Sequence, residues 1–285
     1  MIPSAFDYVR ATTVDEAVAA LVAGGDDVKV ISGGQSLVPV LRLRLSHPSL
    51  IVDVSKIDEM RTIVDEGSSL LIGAAVTTDA LIKDARVQAD VPLLAMTAAT
   101  VADPAIRHRG TFGGSCAHAD PAGDLPTVAQ ALDAEFVIAG SGGRRTVAAR
   151  DFFVDYFTTA VGPDEVLVAV RVPKLGAGWG ANYQKFQRTA QAWAIVGVAA
   201  SVKTEGGIIT GARIALTNMG ATPIRASSVE TALIGGPATT EAIKAASASA
   251  ADGTRPTSDT HAQAEFRSHL ARVHTARAVA KAAGI

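Results

Sequence analysis

The spacing of apolar residues over positions 1–56 predicts a small α/β lobe. Apolar residues recur at helical spacing after Thr13 and Glu16, which form a capping box, and the pattern ends at Gly24 and Gly25. Two short apolar runs predict buried strands, and a glycine-rich segment directly follows the first run. The predicted order is an extended segment at 6–10, this helix, a strand at 28–31, the glycine segment 32–36, a helix at 37–45 and a strand at 50–54.

Residues 57–176 predict a second lobe in which strands and helices are mixed. Alternating patterns on both sides of the turn Glu66-Gly67-Ser68 predict a hairpin. A second pair of glycines, in the segment 111–115, is predicted to lie in a loop. The elements expected around it are the hairpin 61–65 and 70–74, helices near 79–83, 93–102 and 125–132, and strands at 135–139 and 166–172.

A segment rich in Gly and Pro, 173–180, separates these lobes from a region with a different pattern. Strands followed by helices indicate an α+β domain with a three-stranded antiparallel sheet. Its predicted elements are strands at 183–188, 194–203 and 208–217, then helices at 224–234, 239–250 and 260–283. We therefore predict a two-lobed domain at 1–176, with lobes 1–56 and 57–176, and a C-terminal domain at 177–285.

Length and charge indicate how the chain is organised and exclude some classes of binding partner. A chain of 285 residues exceeds what one hydrophobic core comfortably supports, which agrees with several sub-domains. The net charge of −2, with acidic and basic residues interspersed, gives no basic surface for nucleic acid or an anionic membrane. No secretory signal is visible and the longest apolar stretch is too short to span a bilayer, so we expect a soluble, cytoplasmic protein, with any membrane association made through a complex.

The chain is poor in residues that hold redox metals. Cys116 is the only cysteine, so iron–sulfur clusters that need several thiolates must belong to other chains. We expect Cys116 to be a small buried thiol. His118 with Asp120 provides too few ligands for a metal ion, and the other histidines lack ligand spacing.

Two glycine pairs are the candidate ligand-binding segments of the chain. A strand that turns through glycines into a helix presents several backbone N–H groups at the positive end of a helix, which suits an anion. Two such places in different lobes would suit a dinucleotide. Neither is a Rossmann fingerprint or a Walker loop, because G-x-G-x-x-G and Gly-Lys-Ser/Thr are absent, and a single Gly-Gly pair also forms ordinary tight turns.

The glycine segments and their flanks together resemble the FAD-binding subunit of the molybdenum hydroxylases, the family that contains xanthine dehydrogenase and aerobic carbon monoxide dehydrogenase. The similarity extends over nearly the whole chain. It is carried by Phe6-Asp7-Tyr8, Gly33 to Leu37, Arg44 to Asp53, Ile72-Gly73-Ala74, Ala102-Asp103-Pro104, Arg107 to Ser115, Asp120 to Pro126, Tyr183 to Arg188 and Glu265-Phe266-Arg267.

The resemblance implies a fold and a cofactor. The fold is the two-lobed FAD-binding fold of the PCMH (vanillyl-alcohol oxidase-like) type, followed by a carbon monoxide dehydrogenase flavoprotein C-terminal-like domain. In that fold, backbone N–H and hydroxyl groups of the two glycine segments bind the pyrophosphate and ribityl part of FAD, and other side chains surround the flavin ring. The residues so assigned are Ser32, Gly33, Gly34, Gln35, Ser36, Leu37, Val101, Thr111, Gly113, Gly114, Ser115, Asp124, Leu167, Lys185 and Trp193.

Several of these residues also have structural readings. Asp124 could act as a helix N-cap, Trp193 could be a core aromatic at the start of a strand, and Lys185 could point to solvent from its strand. Relatives often carry Asp where this chain has Ala192, beside Trp193. Among other residues, Arg107, His108 and Arg109 could meet phosphate, a partner or water, whereas Arg267, Arg272 and Arg277 are expected on an exposed edge of the last helix.

The resemblance also implies a role within a larger assembly. A substrate such as CO, an N-heterocycle or an aldehyde is oxidised at the molybdenum cofactor of a large subunit, and two [2Fe–2S] clusters of a small subunit pass electrons to the FAD of this chain. The complex is expected to be a dimer of heterotrimers. Two alternatives remain open, namely a self-sufficient FAD-dependent oxidoreductase of the same fold and a non-catalytic assembly chain.

Overall fold

The computed structural model describes residues 2–285, and its first lobe is a three-stranded parallel sheet with the strand order β1, β3, β2. Thr13 caps the first helix by accepting a hydrogen bond from the Glu16 N–H, and Gly25, at φ 68°, ends it. These features confirm the predicted order. The elements are β1 (Asp7–Arg10), α1 (Val14–Gly24), β2 (Val28–Ile31), α2 (Leu37–Arg42) and β3 (Leu50–Asp53).

The second lobe is an antiparallel five-stranded sheet with helices packed against it. Its strand order is β4, β5, β10, β6, β7, and the small hairpin formed by β8 and β9 lies apart from it. In chain order the elements are β4 (Ile63–Asp65), β5 (Ser69–Gly73), α3 (Thr78–Lys83), α4 (Ala85–Asp90), α5 (Pro92–Ala99), α6 (Pro104–Arg107), α7 (Phe112–His118), α8 (Asp124–Ala131), β6 (Glu135–Gly140), β7 (Gly143–Ala148), α9 (Ala149–Phe152), β8 (Phe153–Asp155), β9 (Thr158–Thr159) and β10 (Val166–Pro173).

The third region is an antiparallel sheet followed by helices. The three predicted strands are confirmed, and a two-residue strand extends the sheet to four in the order β11, β12, β13, β14. The elements are β11 (Trp179–Phe186), β12 (Val196–Glu205), β13 (Ile208–Thr217), β14 (Ile224–Arg225), α10 (Ser227–Leu233), α11 (Thr240–Ser247) and α12 (Ala264–Ala282).

The sheet of this third region is covered on both faces. Because side chains alternate along a strand, Tyr183 and Ala199 face the lobes and join their hydrophobic core, whereas Val198 and Ile214 face α12 and belong to a second core. The C-terminal sheet is thus fixed against the lobes through one of its faces, and α8 and α5 lie against it there. Residues from all three regions can therefore meet at one site.

Several short elements were not predicted, among them β7, α4 and α6, because their sequences carry little pattern. β7 is an exposed edge strand whose first four residues all face solvent, so it shows no alternation of apolar and polar positions. The helices α4 and α6 are only six and four residues long. Each is set by a local cap, in which the Asp84 or Asp103 carboxylate accepts hydrogen bonds from N–H groups of the first turn.

The prediction that Arg267 lies on an exposed edge is wrong, although Arg272 and Arg277 are exposed as expected. Arg267 is only 1% exposed, and its guanidinium donates to the carbonyl oxygen of Ile195 and to the Asp259 carboxylate. The end of α12 that carries Arg267 lies over the start of β12, where a buried carbonyl group needs a donor. Within residues 2–285, no helix combines the length and the apolar character needed to cross a membrane.

Candidate functional site

A cavity of about 690 Å³ lies between the two lobes and the C-terminal sheet. Its size falls within the range of small-molecule and cofactor sites, roughly 300–1,000 Å³. Every residue that the resemblance assigns to an FAD site, from Ser32 to Trp193, lines this one cavity. Segments that are far apart in sequence therefore meet at a single place.

The first glycine segment, between β2 and α2, forms a cradle of free backbone N–H groups at one end of the cavity. None of the N–H groups of residues 33–37 donates a hydrogen bond to another residue within 2–285. Gly34 has φ +75°, which an L side chain rarely adopts, and a Cβ on Gly33 would lie 2.1 Å from the Arg109 carbonyl oxygen. This end of the cavity is suited to an anionic group such as a phosphate.

The second glycine segment does not form a loop as predicted, because residues 112–115 form the first turn of α7. Its N–H groups are engaged within the protein: those of Phe112 and Gly113 donate to the carbonyls of Val76 and Ala74. The Gly114 N–H donates to Thr111 Oγ1, which caps the helix. The segment therefore offers hydroxyl groups and a surface without Cβ atoms, rather than a second cradle of free N–H groups.

The two glycine segments are in direct contact. Thr111 Oγ1 donates a hydrogen bond of 3.3 Å to Ser32 Oγ, which joins the second lobe to the first. Gly113 packs so closely on β5 that an added Cβ would lie 2.3 Å from Ala74 Cβ. These contacts set the relative position of both segments in the wall of the cavity.

At the other end of the cavity, Lys185 and Asp124 form a buried ion pair. Lys185 Nζ lies 2.7 Å from Asp124 Oδ2, and the two side chains are 5% and 3% exposed. The readings of Lys185 as a solvated side chain and of Asp124 as an N-cap are therefore wrong; Gly123 occupies the N-cap position of α8. Burial raises the pKa of Asp124 above its ordinary value, while Lys185 and the Tyr183 hydroxyl oppose that shift.

Lys185 can still bind a ligand. Besides Asp124, its ammonium group donates to the Thr100 carbonyl oxygen at 3.2 Å. An ammonium group has three N–H donors, so the third is available to a group in the cavity that Lys185 lines.

Tyr183 and Thr217 belong to the site but were missed by sequence reasoning. Tyr183 Oη donates to Asp124 Oδ1 at 2.6 Å and lies 3.1 Å from Thr217 Oγ1. Burial, reinforced by Asp124, raises the pKa of Tyr183 well above its ordinary value, so the phenol stays protonated. A signal was present in the sequence, since Tyr183 and Lys185 are two residues apart in a strand and therefore share a face.

Trp193 lies at the mouth of the cavity, outside both the core and the strands. It is 57% exposed and lies in the bend between β11 and β12. The backbone after it is held on two sides, because Asn218 donates to the Ala194 carbonyl and Arg267 donates to the Ile195 carbonyl. An indole ring in this place can cover a planar ligand.

Two other candidates have structural roles. Cys116 is fully buried, as predicted, and burial raises the pKa of its thiol. Arg107 donates to the carbonyl groups of Val101 and Ala102, and so holds part of the cavity wall. Ala102 has φ 40°, and these hydrogen bonds support that uncommon backbone conformation.

Comparison with known proteins agrees with this arrangement. Residues 4–175 match the family described as FAD binding domain in molybdopterin dehydrogenase, and residues 181–282 match the family described as CO dehydrogenase flavoprotein C-terminal domain. The carbon monoxide dehydrogenase medium chain of Hydrogenophaga pseudoflava is 39% identical over 279 residues, which cover 98% of this chain and 97% of the relative.

A second relative and a solved structure extend the comparison. The 6-hydroxypseudooxynicotine dehydrogenase complex subunit alpha of Paenarthrobacter nicotinovorans is 38% identical over 283 residues, 99% of this chain and 96% of the relative. A chain in the structure of carbon monoxide dehydrogenase from Hydrogenophaga pseudoflava lacking the Mo-pyranopterin moiety of its cofactor matches with a TM-score of 0.97 and 41% identity. That match covers 100% of this chain and 99% of the other.

Proposed function

Because this chain belongs to the family of FAD-binding domains in molybdopterin dehydrogenases, we propose that it is the FAD-carrying electron-transfer subunit of a molybdenum-containing hydroxylase or dehydrogenase complex. The observation that carries this proposal is the cavity with two chemically different ends. Free N–H groups of residues 33–37 lie at one end, and the buried Lys185 ammonium lies at the other. This donor set fits a ligand that has a diphosphate group and a polar ring system.

Different residues would bind different parts of FAD. The N–H groups of residues 33–37 would bind the diphosphate, and the hydroxyls of Ser32, Thr111 and Ser115 would bind it or the ribityl chain. Lys185 would place a positive charge beside the ring, and the aliphatic Val101 and Leu167 with Trp193 would enclose it. The bound flavin supplies the chemistry, because it takes up two electrons and can exchange them singly.

The substrate would be oxidised on another subunit. The names of two relatives refer to different substrates, carbon monoxide and 6-hydroxypseudooxynicotine, yet this chain is nearly equally similar to both. A subunit that contacted the substrate would be expected to differ more between them. We place the molybdenum cofactor in a large subunit and two [2Fe–2S] clusters in a small subunit, with this chain completing a heterotrimer that pairs into a dimer.

We propose that the two parts of the chain have different roles in the FAD site. Residues 1–176 would form the FAD-binding domain, with lobes at 1–56 and 57–176. Residues 177–285 would form the C-terminal domain, which supplies Lys185 and Trp193 to the ring end of the cavity. Neither domain alone supplies all of the residues that line the proposed FAD site.

Purification of the complex from its native host tests the proposal. We expect co-purifying large and small subunits, a flavin spectrum, molybdenum and iron on metal analysis, and anaerobic bleaching of the flavin by a substrate found in a screen. The chain separated from its partners should not be bleached by that substrate. A correctly folded complex without flavin would refute the proposal, and substrate-driven bleaching of the separated chain would instead support a self-sufficient oxidoreductase.

A further inference from the structure

A chain of hydrogen-bonded oxygen atoms runs from Asp124 into the interface between α8 and the C-terminal sheet. It continues from Asp124 Oδ1 to Tyr183 Oη and then to Thr217 Oγ1, over 2.6 and 3.1 Å. Thr217 Oγ1 lies 2.9 Å from Thr127 Oγ1, which lies 3.3 Å from the Gly123 carbonyl oxygen. The protein thus contains four successive oxygen–oxygen contacts that start at a carboxylate beside the cavity.

The number of protons in this chain depends on the state of Asp124. With Asp124 ionised, the hydroxyls of Tyr183, Thr217 and Thr127 supply three protons to four contacts, so one contact has no proton. With Asp124 protonated, four protons serve four contacts. Asp124 donates to Tyr183 and Tyr183 donates to Thr217. Thr217 then donates to Thr127, which donates to the Gly123 carbonyl. The protonated form therefore contains one hydrogen bond more than the ionised form, and this additional hydrogen bond favours uptake of the fourth proton.

Beyond Asp124, which borders the cavity, the hydrogen-bonded oxygen atoms are buried away from water, and the surrounding residues pack closely against them. Thr127 and Thr217 are 0% exposed, and Asp124 and Tyr183 are 4% and 8% exposed. Gly197, between Lys185 and Thr217 in the sheet, leaves the space that the chain needs, because an added Cβ would lie 2.4 Å from Tyr183 Oη and 2.7 Å from Thr217 Oγ1. No water is needed to complete the four contacts.

Opposing influences act on Asp124, and burial, which raises its pKa, is the largest of them. Lys185 on β11 favours the ionised carboxylate, as does the hydrogen bond from Tyr183, while burial and the nearby Asp120 favour the protonated form. A negative charge that arrives in the cavity would compete with Asp124 for the Lys185 ammonium. That competition removes the main reason for Asp124 to stay ionised.

We propose that Asp124 takes up one proton when the bound flavin is reduced, and that the Tyr183–Thr217–Thr127 hydroxyl chain stabilises the protonated carboxyl. This inference rests on the proposed function, which supplies the electrons from an iron–sulfur partner. The proton comes from solvent at the cavity and bonds to Asp124 Oδ1, in addition to any proton taken up by the ring. Asp124 becomes neutral, and the charge of Lys185 is left to face the added negative charge.

The substitution Thr217→Val tests the hydroxyl chain and leaves the Lys185–Asp124 ion pair unchanged. In Thr217→Val the side-chain shape is kept, but the Tyr183 hydroxyl has only Asp124 as an acceptor. A protonated Asp124 therefore loses the onward hydrogen bonds that would stabilise it. The measurement is the midpoint potential of the flavin in the assembled complex across a pH series. If one additional proton is taken up with the two electrons, the midpoint potential falls by about 30 mV more per pH unit than it does without that proton.

We expect a pH interval in which the potential of the wild-type complex falls more steeply than that of Thr217→Val, by up to about 30 mV per pH unit. Thr217→Ser keeps a hydroxyl and should restore the wild-type slope. Thr275→Val is the matched control, because Thr275 is buried on α12 and its hydroxyl has no partner within residues 2–285. Infrared difference spectra should show a protonated carboxyl on reduction that is lost in Asp124→Asn.

Equal slopes for the wild type and Thr217→Val, without a carboxyl band on reduction, would overturn this inference while leaving the proposed function intact. A complex that contains no flavin would instead overturn the proposed function itself. If Asp124→Asn does not assemble, the comparison of Thr217→Val with Thr217→Ser still decides the question, because both keep Asp124 and Lys185.

Discussion

Gly33 lies directly against the backbone of Arg109, at the point where the first lobe meets the second. A Cβ added to Gly33 would lie 2.1 Å from the Arg109 carbonyl oxygen and 2.9 Å from Gly110 Cα. Backbone atoms cannot relieve such a steric clash by a small rotation, as the end of a flexible side chain can. The free N–H groups of residues 33–37 are therefore positioned by this contact between the lobes.

The substitution Gly33→Ala should displace the cradle and weaken FAD binding. Overpacking of this kind costs about 1–3 kcal/mol, which corresponds to a roughly 5- to 150-fold rise in the dissociation constant for FAD. The measurement is the flavin content of the purified complex after dialysis. Gly142→Ala is the matched control, because an added Cβ there meets nothing within 4 Å. Equal flavin retention in both variants would contradict the role given to Gly33.

Much of the fold could be predicted because its elements carry strong local signals. The capped helix after Thr13 and the long, largely apolar strands β12 and β13 are examples. The error at residues 112–115 has a physical cause: two consecutive glycines usually mark a loop, but here close packing on Ala74 excludes side chains from a helix. Pairings such as Tyr183 with Asp124 are separated by 59 positions and depend on how α8 docks on the sheet.

Arg267 should contribute strongly to stability, in contrast to the exposed arginines of the same helix. In Arg267→Met the Ile195 carbonyl group loses its buried donor, at a cost of about 1–3 kcal/mol. Thermal melting should show a midpoint lowered by about 2–4 °C for each kcal/mol lost. Arg277→Met removes an exposed charge from the same helix and should change the midpoint little. Equal melting temperatures for the two variants would show that burial of Arg267 contributes nothing.

The pair of Arg145 and Glu165 predicts how stability responds to acid. Arg145 donates two hydrogen bonds to the Glu165 carboxylate and lowers its pKa from the ordinary value of 4.5. A carboxyl group whose pKa is lowered by folding stabilises the protein at pH values above its pKa in the unfolded state. This stabilisation is lost as the pH falls through the pKa of the folded state. Glu165→Gln should therefore be about 1 kcal/mol less stable than the wild type at neutral pH, and the difference should shrink below pH 4.5.

Denaturant unfolding at several pH values measures that difference. The exposed Asp252 provides a control, and Asp252→Asn should match the wild type at every pH. A constant difference between Glu165→Gln and the wild type down to strongly acidic pH would mean that the charge of Glu165 is not the cause.

Trp193 should contribute to FAD binding through its ring alone, since its indole is half exposed at the cavity mouth and lies outside both cores. An aromatic contact is worth about 0.5–1.5 kcal/mol beyond the area it buries. Trp193→Ala should therefore raise the dissociation constant for FAD roughly 2- to 13-fold, while Trp193→Phe, which keeps an aromatic face, should stay near the wild type. Release of FAD from the diluted complex, followed by the recovery of free flavin fluorescence, gives the comparison. If the alanine variant holds FAD as tightly as the phenylalanine variant, the aromatic face of Trp193 does not contribute to FAD binding.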